Sequence, residues 1–334
     1  MAYQTGTASD VNDLLDKFRL FAIAQGWTAN RWATVGSGRE LCIQKSSAYF
    51  NFRAWNNETA LVNGSNQASK TGIAINGSDG YNGANAWDRQ PRYPQRQSGT
   101  TVDQAHAWFP LVINLGPFPA YHFFAPDSKT LYAEVEISTG IFLRFGCGSL
   151  DLFNPAAPGG GRFFYATGGQ HVTNTTSPSS WLGSDSDNAS YALEEVPFRC
   201  ADYCASQAGS GLTGSYVRVQ HDSFNNWAFS GREPRTSNTG SFCQGGGAHD
   251  RPIRDLSPNS LNGVGVLLPN IVSVNRNQEY LNPIGTVPGM RYMDMTNYLP
   301  GDEFTLGSDT WKVFPWYAKG GRSGQRGIAY LKVA

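Results

Sequence analysis

The sequence predicts a mainly β protein of antiparallel sheets, in a sandwich or barrel-like arrangement, with long loops and one short N-terminal helix. Three observations carry that expectation. Charged residues make up only 16% of the 334-residue chain, while aromatics reach 13% with 9 Trp, 15 Tyr and 19 Phe; soluble domains average about one quarter charged. Apolar and polar residues alternate with period two in several segments, as half-buried strands require. Helical spacing is clear in one segment. The chain is long enough for a full core, and its composition excludes a disordered tail or a coiled coil.

The helix comes first. Val11, Leu14, Leu15, Phe18, Phe21 and Ala22 make a single stripe at helical period. Ser9 can cap its start, and Asp10, Asp13 and Asp16 precede Lys17 and Arg19 as the macrodipole favours. Gly26 sits just past the last turn and stops it. Residues 1–27 thus read as a helical docking element, and residues 28–334 as a β-rich body with its candidate boundary near 155–195. Leu14, Leu15, Phe18 and Phe21 are the candidate interaction side chains, expected to bury against a neighbour or against the chain's own body.

Strands are expected at Leu41–Lys45 and Ala48–Trp55, the second alternating Tyr49, Asn51 and Arg53 against Phe50 and Phe52. Residues 56–104 are crowded with Asn, Gly, Ser, Gln and Asp and include Asn63-Gly64, Asn76-Gly77 and Asn82-Gly83. Such dipeptides favour positive φ, so this zone reads as a string of tight turns or an extended surface loop. Strands resume at Ala107–Leu115, Tyr121–Phe124 and Leu131–Phe145, the last interrupted at Thr139-Gly140 by a hairpin or bulge. Pro110 makes the start of the first of these an edge or strand entry. Residues 154–190 form a second loop-rich zone, and strands follow at Tyr216–Gln220, Trp227–Ser230 and Val264–Val274. Phe304–Leu306, a Gly-Ser-Asp turn and Trp311–Tyr317 make a terminal hairpin, with Gly327–Leu331 as a closing strand.

With 26 basic and 26 acidic residues, no net field attracts nucleic acid or an anionic membrane. A surface built from Ser, Thr, Asn and Gln suits a subunit covered by neighbours better than a free enzyme, which net charge keeps soluble. No apolar run approaches the roughly 18 residues needed to span a bilayer. The opening MAYQTGTASD lacks a basic region followed by an apolar one. Five scattered cysteines suggest buried thiols in a reduced compartment, with folding in a cytoplasm.

Motifs with chemistry are few. Cys200, Cys204, Cys243 and His249 supply four atoms of the types zinc prefers, but the pairs are not matched knuckles and no metal is assigned. His221-Asp222 and His249-Asp250 have no partner at the spacing of a nucleophile elbow or a zincin helix. Glu194-Glu195 and Asp302-Glu303 are adjacent acids, which on a strand point to opposite faces and cannot straddle one bond. Gly159-Gly160-Gly161 lacks the Lys-Ser/Thr of a phosphate loop. Neither catalysis nor a cofactor is expected. Trp87 and Trp181 stand in polar loops and are the candidate exposed aromatics, able to present flat faces to sugars or to a protein partner.

The opening TGTASDVNDLLDKFRLFAIAQGWT (5–28) resembles the start of structural proteins of tailed bacteriophages. The middle YHFFAPDSKTLYAEVEISTGIFLRFG (121–146) resembles their aromatic strand, turn and alternating strand. GDEFTLGSDTWKVFP (301–315) with GIAY (327–330) is similar to their closing hairpin. The resemblance rests on packing motifs and transfers no functional residues. It implies a virion protein of the tail, baseplate or tail tip, made in the host bacterial cytoplasm. Its expected partners are other tail proteins and copies of itself, without nucleic acid or membrane insertion. A receptor-binding module holding host-surface glycan through aromatic loops is the alternative.

Overall fold

In a computed structural model, the structure describes residues 2–62, 65–94, 97–98, 101–102, 107–112, 116–156, 159–166, 169–173, 180–183, 215–219, 227–229, 267–276, 280–315 and 326–332. The chain runs through β1 (Ala2–Ala8), α1 (Val11–Ala24), β2 (Thr28–Val35), β3 (Gly38–Lys45), β4 (Ala48–Val62) and β5 (Ser65–Ser78). Next come β6 (Gln97–Ser98), β7 (Thr101–Val102), β8 (Ala107–Val112), β9 (Phe118–Ala125), β10 (Leu131–Ser138) and β11 (Ile141–Ser149). The short strands β12 (Asp151–Leu152), β13 (Arg162–Ala166), β14 (Gly169–Thr173), β15 (Ser180–Gly183), β16 (Ser215–Arg218) and β17 (Trp227–Phe229) follow. The last are β18 (Leu268–Arg276), β19 (Tyr280–Asp294), β20 (Glu303–Leu306), β21 (Asp309–Pro315) and β22 (Arg326–Lys332).

These strands form antiparallel sheets with no closed barrel. A central sheet runs β1-β9-β10-β11-β13-β16-β17, and a second runs β15-β14-β8-β5-β4-β3-β2. The third runs β12-β19-β22-β21-β20, with β18 also on β19.

Alternation along the central strands sets the layering, because successive side chains leave opposite faces. Phe123, Leu131, Ala133, Val135, Phe145 and Phe164 join Leu41, Ile43, Phe50 and Phe52 of the second sheet in one core. Their sequence neighbours Phe124, Tyr132, Phe163 and Tyr165 join Val287, Met290, Phe314, Ile328 and Tyr330 of the third sheet in another. The central sheet is therefore covered on both faces, and the candidate boundary near 155–195 contains one of its own strands, β13.

The helix stripe is spent inside this chain. Val11, Leu14, Leu15, Phe18, Phe21 and Ala22 are all buried, and the Phe18 ring lies 5.4 Å from Phe52, 5.4 Å from Phe123 and 5.0 Å from Phe145. Leu14, Leu15, Phe18 and Phe21 thus cannot serve as docking contacts: an apolar stripe this wide finds its cover where two sheets diverge. The cap also differs from expectation. Asp10 is the N-cap, its carboxylate accepting from Asp13 N at 2.9 Å, while Ser9 N donates to the Asp13 carboxylate at 2.8 Å. Gly26 takes φ +77°, as a helix stop does.

Three zones expected to lack strands contain them. The polar lead is β1, whose register on β9 pairs Ala2 with Ala125 and Gly6 with Tyr121. The front of the 56–104 zone is the long β4/β5 hairpin, with Asn76-Gly77 inside β5 rather than at a turn. Its polar residues satisfy one another: Asn51 Nδ2 donates to Asn76 Oδ1 at 2.9 Å and to Ser78 Oγ at 3.1 Å. Gly77 is required because a Cβ there would collide with the Trp227 ring. Within the other loop-rich zone lie β13, β14 and β15. The sequence reading also placed no strand over β19, where Pro283, Gly285, Pro288 and Gly289 look like breakers. The strand nevertheless persists through register irregularities, and a Cβ at Gly285 would strike the Asp151 backbone. Finally, β8 lies between β14 and β5, but β5 pairs only with Leu111 and Val112, so Pro110 stands where one neighbour is bonded.

Several polar groups between the central and third sheets are paired. Arg144 Nε donates to Glu134 Oε1 at 2.7 Å and its Nη2 to Pro315 O at 2.7 Å, while Tyr132 Oη donates to Pro288 O at 2.6 Å. Burial pushes the Glu134 carboxyl up. Nearby, His122 Nδ1 lies 2.8 Å from Tyr3 Oη and its ring 5.0 Å from Phe314. Burial, with Lys312 opposing a second positive charge, holds this imidazole down to about 4.

Two outcomes follow from this packing. Phe18→Ala is expected to cost about 3–5 kcal/mol in urea unfolding; a loss below about 1 kcal/mol would contradict its place in the core. His122 is kept neutral, so its contribution is complete above the unfolded value near 6.5 and is lost as pH falls toward about 4. His122→Gln is expected to flatten the urea-midpoint change between pH 7 and 4.5, by up to ~3 kcal/mol.

Candidate functional site

Among the described residues, charge converges where the second sheet meets the central one. Asp79 follows β5, Arg162 opens β13 and Arg218 closes β16. Arg218 grips Asp79 with two bonds, Nε to Oδ1 at 2.9 Å and Nη2 to Oδ2 at 2.8 Å. Arg162 Nη2 donates to Asp79 Oδ1 at 2.9 Å and its Nη1 to Ser47 O at 2.6 Å. A bidentate guanidinium fixes both position and plane, so one carboxylate ties two strands of the central sheet to the second sheet. The Arg162 guanidinium also covers the Trp227 ring, 5.9 Å from its centroid.

A third guanidinium arrives through the segment 79–94. Gln90, wholly buried, organises that segment: its Nε2 donates to the carbonyls of Asn82, Asn85 and Ala86 at 3.0–3.1 Å, and its Oε1 accepts from Asn82 N at 2.7 Å. Asp79 N donates to Pro91 O at 2.8 Å and so sets Arg92 beside the same carboxylate. Arg92 Nη1 stops 3.8 Å from Asp79 Oδ2, with 65% of its side chain exposed. Its φ is +52°, a left-handed conformation unusual for this residue type.

Together with Ser47, Ser149, Gly159 and Gly160, the arginines 92, 162 and 218 line a cleft of about 410 Å³. Burial alone would raise the Asp79 carboxyl, but Arg218, with Arg162 and Arg92, outweighs it and holds Asp79 below the ordinary carboxylate value. Among the described residues, three cations meet one anion here. Such a site can hold and orient an anion.

Compared with known proteins, the chain matches no family model and no curated sequence. Its geometry alone defines the site.

Of the two aromatic candidates, Trp87 departs from expectation. Trp87 is buried, edge-on to Trp55 at 5.8 Å, because the 79–94 segment folds back on β4. It offers no exposed face to a sugar. The backbone of Trp181 lies in β15, and its side chain is outside the described residues. Cys200, Cys204, Cys243 and His249 are also outside them, as are Glu194, Glu195, His221, Asp222 and Asp250. Cys42 and Cys147 are buried free thiols, and burial pushes Cys42 up to about 12. Among the described residues no group of His, Cys, Asp and Glu could hold a metal ion. No described helix is long and apolar enough to cross a membrane. Glu303 is held by Lys312 at 3.0 Å and Lys332 at 2.8 Å, a structural use of that acid.

Sequence reasoning missed Asp79, Arg92, Arg162 and Arg218. Asp79 and Arg218 are 139 positions apart, so no local spacing links them. The one legible signal was arginine placed in charge-poor Gly/Asn zones.

Asp79→Ala strands two poorly exposed guanidiniums and is expected to cost about 3–5 kcal/mol, measured by urea unfolding at pH 7. The Asp79 contribution is present above the unfolded value near 4 and is lost as pH falls below it through the lowered folded value.

Proposed function

We propose that the chain is a structural virion protein of a tailed bacteriophage, a tail, baseplate or tail-tip component acting by protein–protein assembly. Three dispersed segments resembling such proteins support this reading, as does the charge-poor surface. The observation that carries it furthest is the C-terminal hairpin. Among the described residues β20 ends the third sheet, bonded on one side to β21; Leu299 precedes it and Leu306 is its last residue, with 71% and 55% of their surface exposed. An exposed edge strand with apolar flanks is a template for pairing with another chain. The occupant is a neighbouring subunit of the tail, either another tail protein or a second copy. The N-terminal helix is relieved of this role, since its stripe is already covered. Assembly would take place in the host cytoplasm and requires no catalysis or cofactor.

Leu299→Asp with Leu306→Asp is expected to leave the urea midpoint within about 0.5 kcal/mol of wild type, as exposed substitutions do. The same variant is expected to reduce occupancy in purified particles at least tenfold by quantitative blotting. Particles incorporating it at wild-type level would overturn the docking role of the hairpin. Antibody label confined to the head in negative-stain micrographs would overturn the tail assignment.

A further inference from the structure

We propose that the arginine-lined cleft binds an oxyanion, a carboxylate or phosphate group, carried on a single sugar-sized ligand. This role is separate from assembly, since the cleft joins the second and central sheets whereas β20 edges the third.

A cross-sheet clamp accounts for Asp79, Arg162 and Arg218, but not for Arg92. That residue makes no hydrogen bond to Asp79 at 3.8 Å and is largely in solvent. Exposed ion pairs contribute only about 0–1 kcal/mol, while a non-glycine residue held in a sparsely populated conformation costs of order 1–3 kcal/mol. Stability therefore does not explain why the chain fixes Arg92 at φ +52° beside two other guanidiniums. Asp79 accepts from Arg162 and Arg218 and leaves Arg92 at 3.8 Å.

The donors are also pre-organised. Asp79 holds Arg162 and Arg218 in fixed planes, and Arg162 directs two bonds to Asp79 and Ser47 out of the five N–H groups a guanidinium carries. Planar guanidiniums match carboxylate and phosphate geometry. Ser47 and Ser149, which carry hydroxyls, and Gly159 and Gly160 complete the lining. The volume of about 410 Å³ lies near the low end of small-molecule pockets, about 300–1,000 Å³, and suits one monosaccharide. Gly161 is followed by Arg162-Phe163-Phe164 and not by Lys-Ser/Thr, which disfavours a nucleotide phosphate loop.

Isothermal titration of the full chain with glucuronate, glucose 6-phosphate, glucose and inorganic phosphate tests this. Glucuronate or glucose 6-phosphate is expected to bind at least tenfold more tightly than glucose and than inorganic phosphate, and the preferred one identifies the anion. Affinity is expected to fall as NaCl rises from 50 to 500 mM, as screening requires. Arg92→Gln, at an exposed position, is expected to keep the wild-type melting temperature and weaken binding at least tenfold, with Arg92→Lys intermediate. Failure of both acidic sugars to bind at 10 mM, equal binding of glucose, or undiminished binding by Arg92→Gln would each overturn the proposal. Inorganic phosphate binding as tightly as the sugars would overturn its sugar-sized ligand.

Discussion

The central sheet is sealed on both faces, and most of the molecule answers to that constraint. A strand with water on one side can place its polar residues outward; β9, β10, β11 and β13 have no such side. Each consecutive pair, such as Phe123-Phe124 or Phe163-Phe164, divides between two cores. Polar groups caught between layers must find partners within hydrogen-bond reach, because an unpaired buried charge costs several kcal/mol. Arg144 therefore meets Glu134 and also reaches across to Pro315 of the third sheet. Where rings need room, glycine supplies it: a Cβ at Gly146 would press on both Tyr132 and Tyr165 at 2.8 Å.

The same demand fixes the helix. Between the central and second sheets, α1 fills the space with Phe18, whose ring touches aromatics from β4, β9 and β11. An element that appears detachable in the linear chain is thus part of the main core. The outer hairpin of the third sheet packs Trp311 and Val313 into a third, smaller core and leaves Leu306 exposed.

The arginine cleft arises at the other junction. Aromatic packing ends with Trp227 lying over Gly77, and charge takes over beyond it. Asp79 gathers guanidiniums from strands far apart in sequence, while Gln90 and the buried Trp87 hold the 79–94 segment that brings Arg92. The Asn- and Gly-rich composition of this segment serves a hydrogen-bonded loop rather than a flexible one: side-chain amides satisfy carbonyls that no ladder reaches. An arginine-lined, polar cleft is the result.

By itself the sequence determined the features that rest on local periodicity. The helical stripe from Val11 to Ala22, the 131–149 hairpin turning at Thr139-Gly140 and the closing hairpin at 303–315 are legible because 3.6- and 2-residue repeats report one buried face. That signal fades for β1, β5 and β19. β1 is a polar edge strand, β5 spends Asn76 and Ser78 on buried hydrogen bonds, and β19 carries prolines and glycines at irregular register. Their strand character comes from pairing, within a hairpin for β5 on β4 and across more than 100 positions for β1 on β9. What only the tertiary structure decided is which face meets what: that the helix covers its own core, that Trp87 turns inward, and that Asp79, Arg92, Arg162 and Arg218 share one cleft. Periodicity states that a face is buried, but long-range strand pairing chooses the surface that buries it, and charge clusters form only where that pairing brings distant side chains together.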